Sequence, residues 1–382
     1  MKFIWKLALF CLPIAIPFLI VTGSLIYVGE SMPLGEVVRL QEGTLPVLFR
    51  PAYGNRDQDF KLMATDQRQP EILLIGSSRM LQFRGQFANL NPDAIYNASA
   101  PAWEIEEVSR LLFTMQHRPD VIVLGMDYPW FIDDYPGDPI VEPPTNWWSR
   151  IFVVNRSFLQ DVLEDTLEEE EEHVDYVRLL TRDEPGGSGG IALGRRAIID
   201  GHGFRNDGSE QYGDFLVAGH LWQPNLRGHH MGLFAEGAEM YTEGDTLSDD
   251  ALAQLEAILQ FANDNDILVL GLFPPFMPML WDELGTSERH TYIPQAQVTI
   301  SEMFAEYNFP LFDFSDVSDL GFSDEDFFDG WHPSERVAIQ IYAEMAKDVP
   351  ELAQYTDVET LENWVTSATD TFRVLPFTVP RE

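Results

Sequence analysis

Three stretches constrain this chain more than any other feature: Glu71-Ile-Leu-Leu-Ile-Gly76, Asp120-Val-Ile-Val-Leu-Gly125 and Asp266-Ile-Leu-Val-Leu-Gly271. Each opens with an acid, runs through apolar residues without alternation and ends in glycine. A strand with one wet face alternates, whereas an unbroken apolar run fits a strand buried on both faces of a parallel sheet. Ala94 to Asn97 and Leu311 to Phe314 are weaker candidates and bring the nominated strands to five. Between them, Ile105, Val108, Leu112 and Met115 share one helical face, as do Leu252, Leu255, Leu259 and Ala262. Strands alternating with helices imply right-handed crossovers, so the expected class is α/β: a three-layer α/β/α, flavodoxin-like domain with a parallel five-stranded sheet. Chemistry in such sheets gathers at the carboxyl ends of the strands, and Gly76-Ser77-Ser78 stands at one of them.

The rest of the chain divides around that domain. From Leu7 to Gly29 there is no charged residue, a run long enough to cross a bilayer of ~30 Å as a helix. Residues 1–30 are therefore read as an N-terminal transmembrane anchor, in preference to a cleaved signal peptide, because no small-x-small cleavage site follows. Phe10 before Cys11 argues against lipoprotein processing, and Pro13 and Pro17 are tolerable in a spanning helix. Lys2 and Lys6 precede the run while Glu30 and Glu36 follow it, which places the body on the periplasmic or extracellular side of the cytoplasmic membrane. Residues 31–69 show no sustained period and are read as a stalk or approach segment. The main domain is assigned to 70–350, with an insertion over about 135–247 that carries Pro-rich, acidic and Gly-rich pieces. It is expected to stand over or beside the strand ends. Residues 351–382 form a tail with one further short helix, and no internal repeat is visible.

Composition excludes some classes. A net charge of -38 leaves no surface for neutralising phosphates, so nucleic acid is not an expected partner. The acidic run Glu168 to Glu172 is read as solvated surface. The single cysteine, Cys11, rules out an intramolecular disulfide framework and a thiolate metal cluster. His202, His220, His229 and His230 contain no helical i, i+4 pair, so no metal is assigned to them. Asp313, Asp316, Asp319, Asp324 and Asp326 lack the spaced Gly and terminal Glu of a calcium loop. Gly186 to Gly190 lacks the Lys-Ser/Thr ending of a phosphate loop. No cofactor is expected. Trp147, Trp148 and Trp222 are read as buried or interfacial aromatics before sugar-stacking platforms.

Two motifs carry chemistry. Ser78 follows a buried strand and a glycine, where a hydroxyl is exposed and free N–H groups of the next turn are available to an oxyanion. The alternative for such a serine is a helix cap. Far along the chain, Asp329-Gly-Trp-His332-Pro-Ser334 sets a carboxylate three residues before a histidine. At that spacing the carboxylate can hold the far ring nitrogen, so that the near one accepts the serine proton. Catalytic roles are therefore assigned to Ser78, His332 and Asp329.

Ile75-Gly76-Ser77-Ser78-Arg79 resembles the first block of SGNH (GDSL-like) hydrolases, and Asp329-x-x-His332-Pro333 resembles their last. Tyr96-Asn97-Ala-Ser-Ala-Pro-Ala102 resembles the second block, and Leu124-Gly-Met-Asp127 sits where the third belongs. The match covers roughly 70 to 132 and 265 to 348, with the insertion unmatched. Ala102 stands where the family usually has Gly, and Asp127 where it usually has Asn. An ionised Asp127 would repel an oxyanion, so either it is protonated or turned away, or another group such as Asn97 donates instead. Arg79 is assigned to carboxylate pairing or structure before a substrate clamp. The Gly-Ser-Ser-Arg form and the anchor look most like the branch of membrane-anchored cell-envelope O-acyltransfer proteins, of the DltD and alginate-acetylation kind. That resemblance implies an esterase or O-acyltransferase acting through an acyl-serine on a polysaccharide or other acyl ester, with a membrane-bound O-acyltransferase as partner. The rival reading is a non-catalytic scaffold of the same fold that docks such a partner.

Overall fold

The computed structural model describes residues 2–53, 57–133, 147–167, 190–213 and 219–376, with Tyr135, Tyr176 and Leu179. Helix α1 (Lys2–Tyr27) is followed by α2 (Leu34–Gln41), β1 (Val47–Phe49) and α3 (Asp57–Arg68). The first apolar run is β2 (Ile72–Ile75), after which come β3 (Ile95–Asn97), α4 (Ile105–Thr114) and β4 (Val121–Gly125). The next segment contains α5 (Trp147–Leu167), β5 (Ile191–Leu193), α6 (Arg195–Ile199), β6 (His202–Phe204), β7 (Glu210–Tyr212) and α7 (Gly219–Glu236). The alternation resumes with α8 (Asp249–Asp264), β8 (Leu268–Phe273), α9 (Pro278–Thr286), α10 (Tyr292–Glu306) and β9 (Leu311–Asp313). Then come α11 (Glu335–Asp348), α12 (Pro350–Ala353) and α13 (Val358–Ser367).

The nominated strands form one five-stranded sheet in the order β3-β2-β4-β8-β9, with every pair parallel. Leu74 lies opposite Val123, and Val123 opposite Leu270. Every residue of β2 and β4 is buried, as unbroken apolar runs require, because helices flank the sheet. Ile105, Val108 and Leu112 of α4 are buried, as are Leu255, Leu259 and Ala262 of α8, which packs on α4. Fully burying each such Val, Leu or Ile contributes roughly 1.5–3 kcal/mol. Counted along the sheet's own strands, the order is that of a flavodoxin-like fold, 2-1-3-4-5. Its switch point lies between β2 and β4, where the connections leave in opposite directions and open a crevice at the carboxyl ends.

A second sheet, in the order β5-β1-β6-β7, joins residues 47–49 to strands from the inserted stretch. β1 pairs parallel with β5 and antiparallel with β6, and β6 pairs antiparallel with β7. The β6–β7 turn is seated on the main sheet through Gly208, whose φ of +79° is left-handed and whose hypothetical Cβ would lie 2.1 Å from the Asn97 carbonyl oxygen. Lys61 of α3 is fully buried beneath it and donates to the carbonyls of Asn97 and Gly208.

Leu25 of α1 and Val28 just beyond it are buried with Val154 and Phe158 of α5, whereas Trp5, Phe10 and Ile20 are exposed. The side chains of several α1 residues lie outside the description, and among the described residues no helix is long and apolar enough to cross a membrane.

Candidate active site

The serine turn sits at the switch point. β2 ends at Ile75, and Ser78–Met80 form a short 3-10 turn in which Ser77 Oγ accepts the Arg79 N–H at 3.2 Å. Met80 packs between the two central strand ends. A Cβ on Gly76 would meet it at 2.8 Å and one on Gly125 at 2.4 Å, so both positions require glycine for this close approach. Asn97, at the end of β3, braces the turn from the other side. Its Nδ2 donates to the carbonyls of Met80 and Phe83 at 2.7 and 2.9 Å, and its Oδ1 accepts the Ser99 N–H at 3.0 Å. Both amide protons are thus spent on the backbone after Ser78, which assigns Asn97 to holding the turn and leaves it no proton for an oxyanion.

The histidine arrives on the loop before α11. Phe328 N–H donates to the His332 carbonyl at 3.0 Å, and Ser334 caps α11 by accepting the Val337 N–H. Asp329 Oδ1 accepts the N–H groups of Trp331 and His332 at 2.6 and 2.7 Å, which fixes the carboxylate against its own loop. Its Oδ2 accepts His332 Nδ1–H at 2.8 Å, leaving Nε2 as the acceptor 2.8 Å from Ser78 Oγ. Ser78, His332 and Asp329 are therefore brought together in hydrogen-bonded sequence. Burial works to raise the Asp329 carboxyl, but His332 and His230 outweigh it and hold the group well below the usual carboxylate range. Burial pushes the His332 imidazole down, and the Asp329 carboxylate more than reverses this, so it rises above its ordinary value.

Arg79 and Asp127 form a buried pair beside the serine, and Asp127 also lines the pocket that holds Ser78 and His332. Arg79 Nη1 donates to Asp127 Oδ1 at 2.9 Å, while Nη2 donates to the carbonyls of Pro274 and Pro275 at 2.6 and 2.5 Å. The guanidinium carbon lies 4.2 Å from the Phe276 ring centre and 4.4 Å from that of Trp331. Asp127 is thus turned to Arg79, and the pair ties the end of β4 to the loop that carries His332.

Ser78, His332 and Ala102 line a pocket of about 180 Å³ walled by Trp103, Trp130, Tyr135, Met240 and Trp331. Neither the N–H of Ser78 nor that of Ala102 donates to another described residue. Ala102 is exposed and has φ +55°, a left-handed conformation that costs a residue with a Cβ roughly 1–2 kcal/mol.

The site also holds groups that sequence reasoning did not assign. His230 of α7 places Nε2 3.4 Å from Asp329 Oδ2, and its Nδ1 lies 2.9 Å from the Tyr241 hydroxyl. The His229-His230 doublet was the only local signal, and it points to metal as readily as to this contact. His202 instead pairs with Glu210 at 3.0 Å. Among the described residues no group of three or more His, Cys, Asp and Glu side chains is arranged to hold a metal ion. Asp313 and Asp326 accept hydrogen bonds from Ser315 and Ser323 respectively. Trp148 is exposed. The run Glu168 to Glu172, the glycine-rich segment up to Gly189, and the side chains of Trp147, His220 and Trp222 lie outside the described residues.

No known family model matches the chain, and no curated protein matches it either.

Proposed function

We propose that this chain is a serine-dependent acyl-ester enzyme of the SGNH hydrolase type, transferring an acyl group through an acyl-serine to water or to a sugar hydroxyl. The observation that carries the reading is the continuous hydrogen-bonded series Ser78 Oγ–His332–Asp329, with 2.8 Å at each step, opening into a small aromatic pocket at the switch point.

In this reading His332 Nε2 takes the Ser78 proton as Oγ attacks the ester carbonyl. The tetrahedral oxyanion is held by the N–H groups of Ser78 and Ala102. Collapse breaks the bond to the leaving alcohol, which takes the proton from His332, and leaves an ester on Ser78. The incoming water or sugar hydroxyl then gives its proton to His332, attacks the acyl-serine and restores the free hydroxyl. Asp329 stays ionised throughout and stabilises the imidazolium.

The uncharged run in α1 and its flanking charges support a membrane anchor, with the body on the periplasmic or extracellular side. The Gly-Ser-Ser-Arg form supports a cell-envelope or exported polysaccharide as substrate, and a membrane-bound O-acyltransferase as partner. The test is steady-state and burst kinetics of the full chain, in mild detergent, on p-nitrophenyl acetate. A burst of about one nitrophenolate per chain is expected, with turnover falling roughly 10³-fold or more in Ser78→Ala and His332→Ala. Turnover that survives Ser78→Ala would remove the reading.

A further inference from the structure

Asp329 is served by two imidazoles, one from its own loop and one from the inserted segment. The carboxylate oxygen that accepts His332 Nδ1–H at 2.8 Å is also 3.4 Å from Nε2 of His230. Both groups are buried, and the second nitrogen of His230 is met by the Tyr241 hydroxyl at 2.9 Å. Asp329 is held ionised and can only accept, so the His230 nitrogen that faces it, Nε2, carries the ring proton. In the neutral ring this leaves Nδ1 as the acceptor for the Tyr241 hydroxyl, which burial keeps protonated. The result is one directed arrangement: Tyr241 O–H to His230, the His230 Nε2 proton facing Asp329 at the longer distance of 3.4 Å, with Asp329 accepting His332 N–H and His332 accepting Ser78 O–H.

The loop sequence leaves room for this arrangement. A Cβ on Gly330 would lie 3.0 Å from His230 Cβ and 3.2 Å from the Tyr241 hydroxyl, so the residue after the catalytic aspartate is small where α7 presses on it. Other titratable or charged groups around the pair are His229 on the same helix, Glu239 and Arg79, which act electrostatically on Tyr241, and Tyr212, on which the Asp329 charge acts.

We propose that His230, oriented by Tyr241, is a positioning residue of the triad, holding the shared Asp329 oxygen and limiting how strongly that carboxylate draws a proton onto His332. The proposal rests on the acyl-serine reading for its catalytic consequence, whereas its electrostatic content stands on the geometry alone. A carboxylate that shares its charge with a second donor is a weaker base, so removing that donor strengthens its hold on protonated His332. The inserted segment then sets the working pH of the enzyme without touching the reacting atoms.

The test follows the His332 titration by NMR in the full chain carrying ¹³C-labelled histidine, assigned with His332→Ala. It compares wild type with His230→Phe, His230→Gln and Tyr241→Phe. In His230→Phe the His332 midpoint rises by about half to one pH unit. His230→Gln, whose side-chain amide still donates, stays closer to wild type, and Tyr241→Phe shifts in the same direction by less. Equal midpoints in wild type, His230→Phe and Tyr241→Phe would overturn the proposal, as would Gln behaving like Phe. If His230→Phe fails to fold, the Tyr241→Phe midpoint decides. Fluorophosphonate labelling of the same samples separates the two readings. A shifted midpoint with an unlabelled wild type keeps the positioning role and removes the enzyme, whereas labelling with unshifted midpoints keeps the enzyme and removes the role.

Discussion

Replacing Asp127 by Ala tests what the departure from Asn does at this position. The Arg79 side chain has no solvent exposure and that of Asp127 only 4%, so neither charge has water to fall back on. Arg79 keeps two carbonyl partners and two aromatic faces when the carboxylate goes, but none of these carries a countercharge. Breaking a buried pair from one side costs about 3–5 kcal/mol. An unfolding entropy of about 2.1 cal/mol/K per residue gives roughly 0.8 kcal/mol/K for the 382-residue chain, and hence a fall in Tm of about 4–6 °C. Asp127→Asn retains an acceptor without the charge and falls between. Adding Arg79→Met to Asp127→Ala removes the stranded charge and should recover at least about 2 kcal/mol of the summed single losses. Thermal unfolding of the four proteins closes the cycle. A fall of less than about 1 °C in Asp127→Ala, or strict additivity in the double variant, would refute the argument that a buried countercharge is what Asp127 supplies.

Other outcomes follow from the same geometry. Only neutral His332 accepts the serine proton, and its affinity for protons is raised by Asp329, so labelling of Ser78 should climb with pH to a midpoint above about 6.5 and fall roughly tenfold per unit on the acid side. A flat rate between pH 5 and 8 would contradict the base assignment. Asn97→Ala leaves the Met80 and Phe83 carbonyls buried without their donor; stability should fall by about 2–4 kcal/mol in thermal unfolding, with a loss of labelling rate as the serine turn loosens. Ala102→Gly relieves the left-handed strain and should leave Tm unchanged or raised by up to about 1 °C, with labelling retained.

The main sheet was legible because its three central strands announce themselves locally, while the three-residue edge strands β3 and β9 gave only weaker signals. The runs at 72–75, 121–125 and 268–273 are unbroken and apolar, and the glycines that end the first two are where Met80 needs space. The Asp329 to His332 spacing was legible for the same reason, since one short loop carries both partners. The second sheet was not. Its strands β1, β5, β6 and β7 each span three residues, too few to show a period, and β1 lies far along the chain from the other three. Asn97 looked like an oxyanion donor because sequence gives the residue type and not the direction of its amide, which the Met80 and Phe83 carbonyls decide. Asp127 left its orientation open until Arg79 was seen beside it. His230 reaches Asp329 only through the packing of α7 on the loop that carries Asp329 and His332, a contact with no local spacing to betray it.

Whether Ser78 is an activated nucleophile is decided by covalent labelling of the full chain with a fluorophosphonate, mapped by peptide mass spectrometry. One adduct per chain is expected on Ser78, absent in Ser78→Ala and strongly slowed in His332→Ala. A folded wild type that takes no label, or takes it equally well without His332, would contradict it.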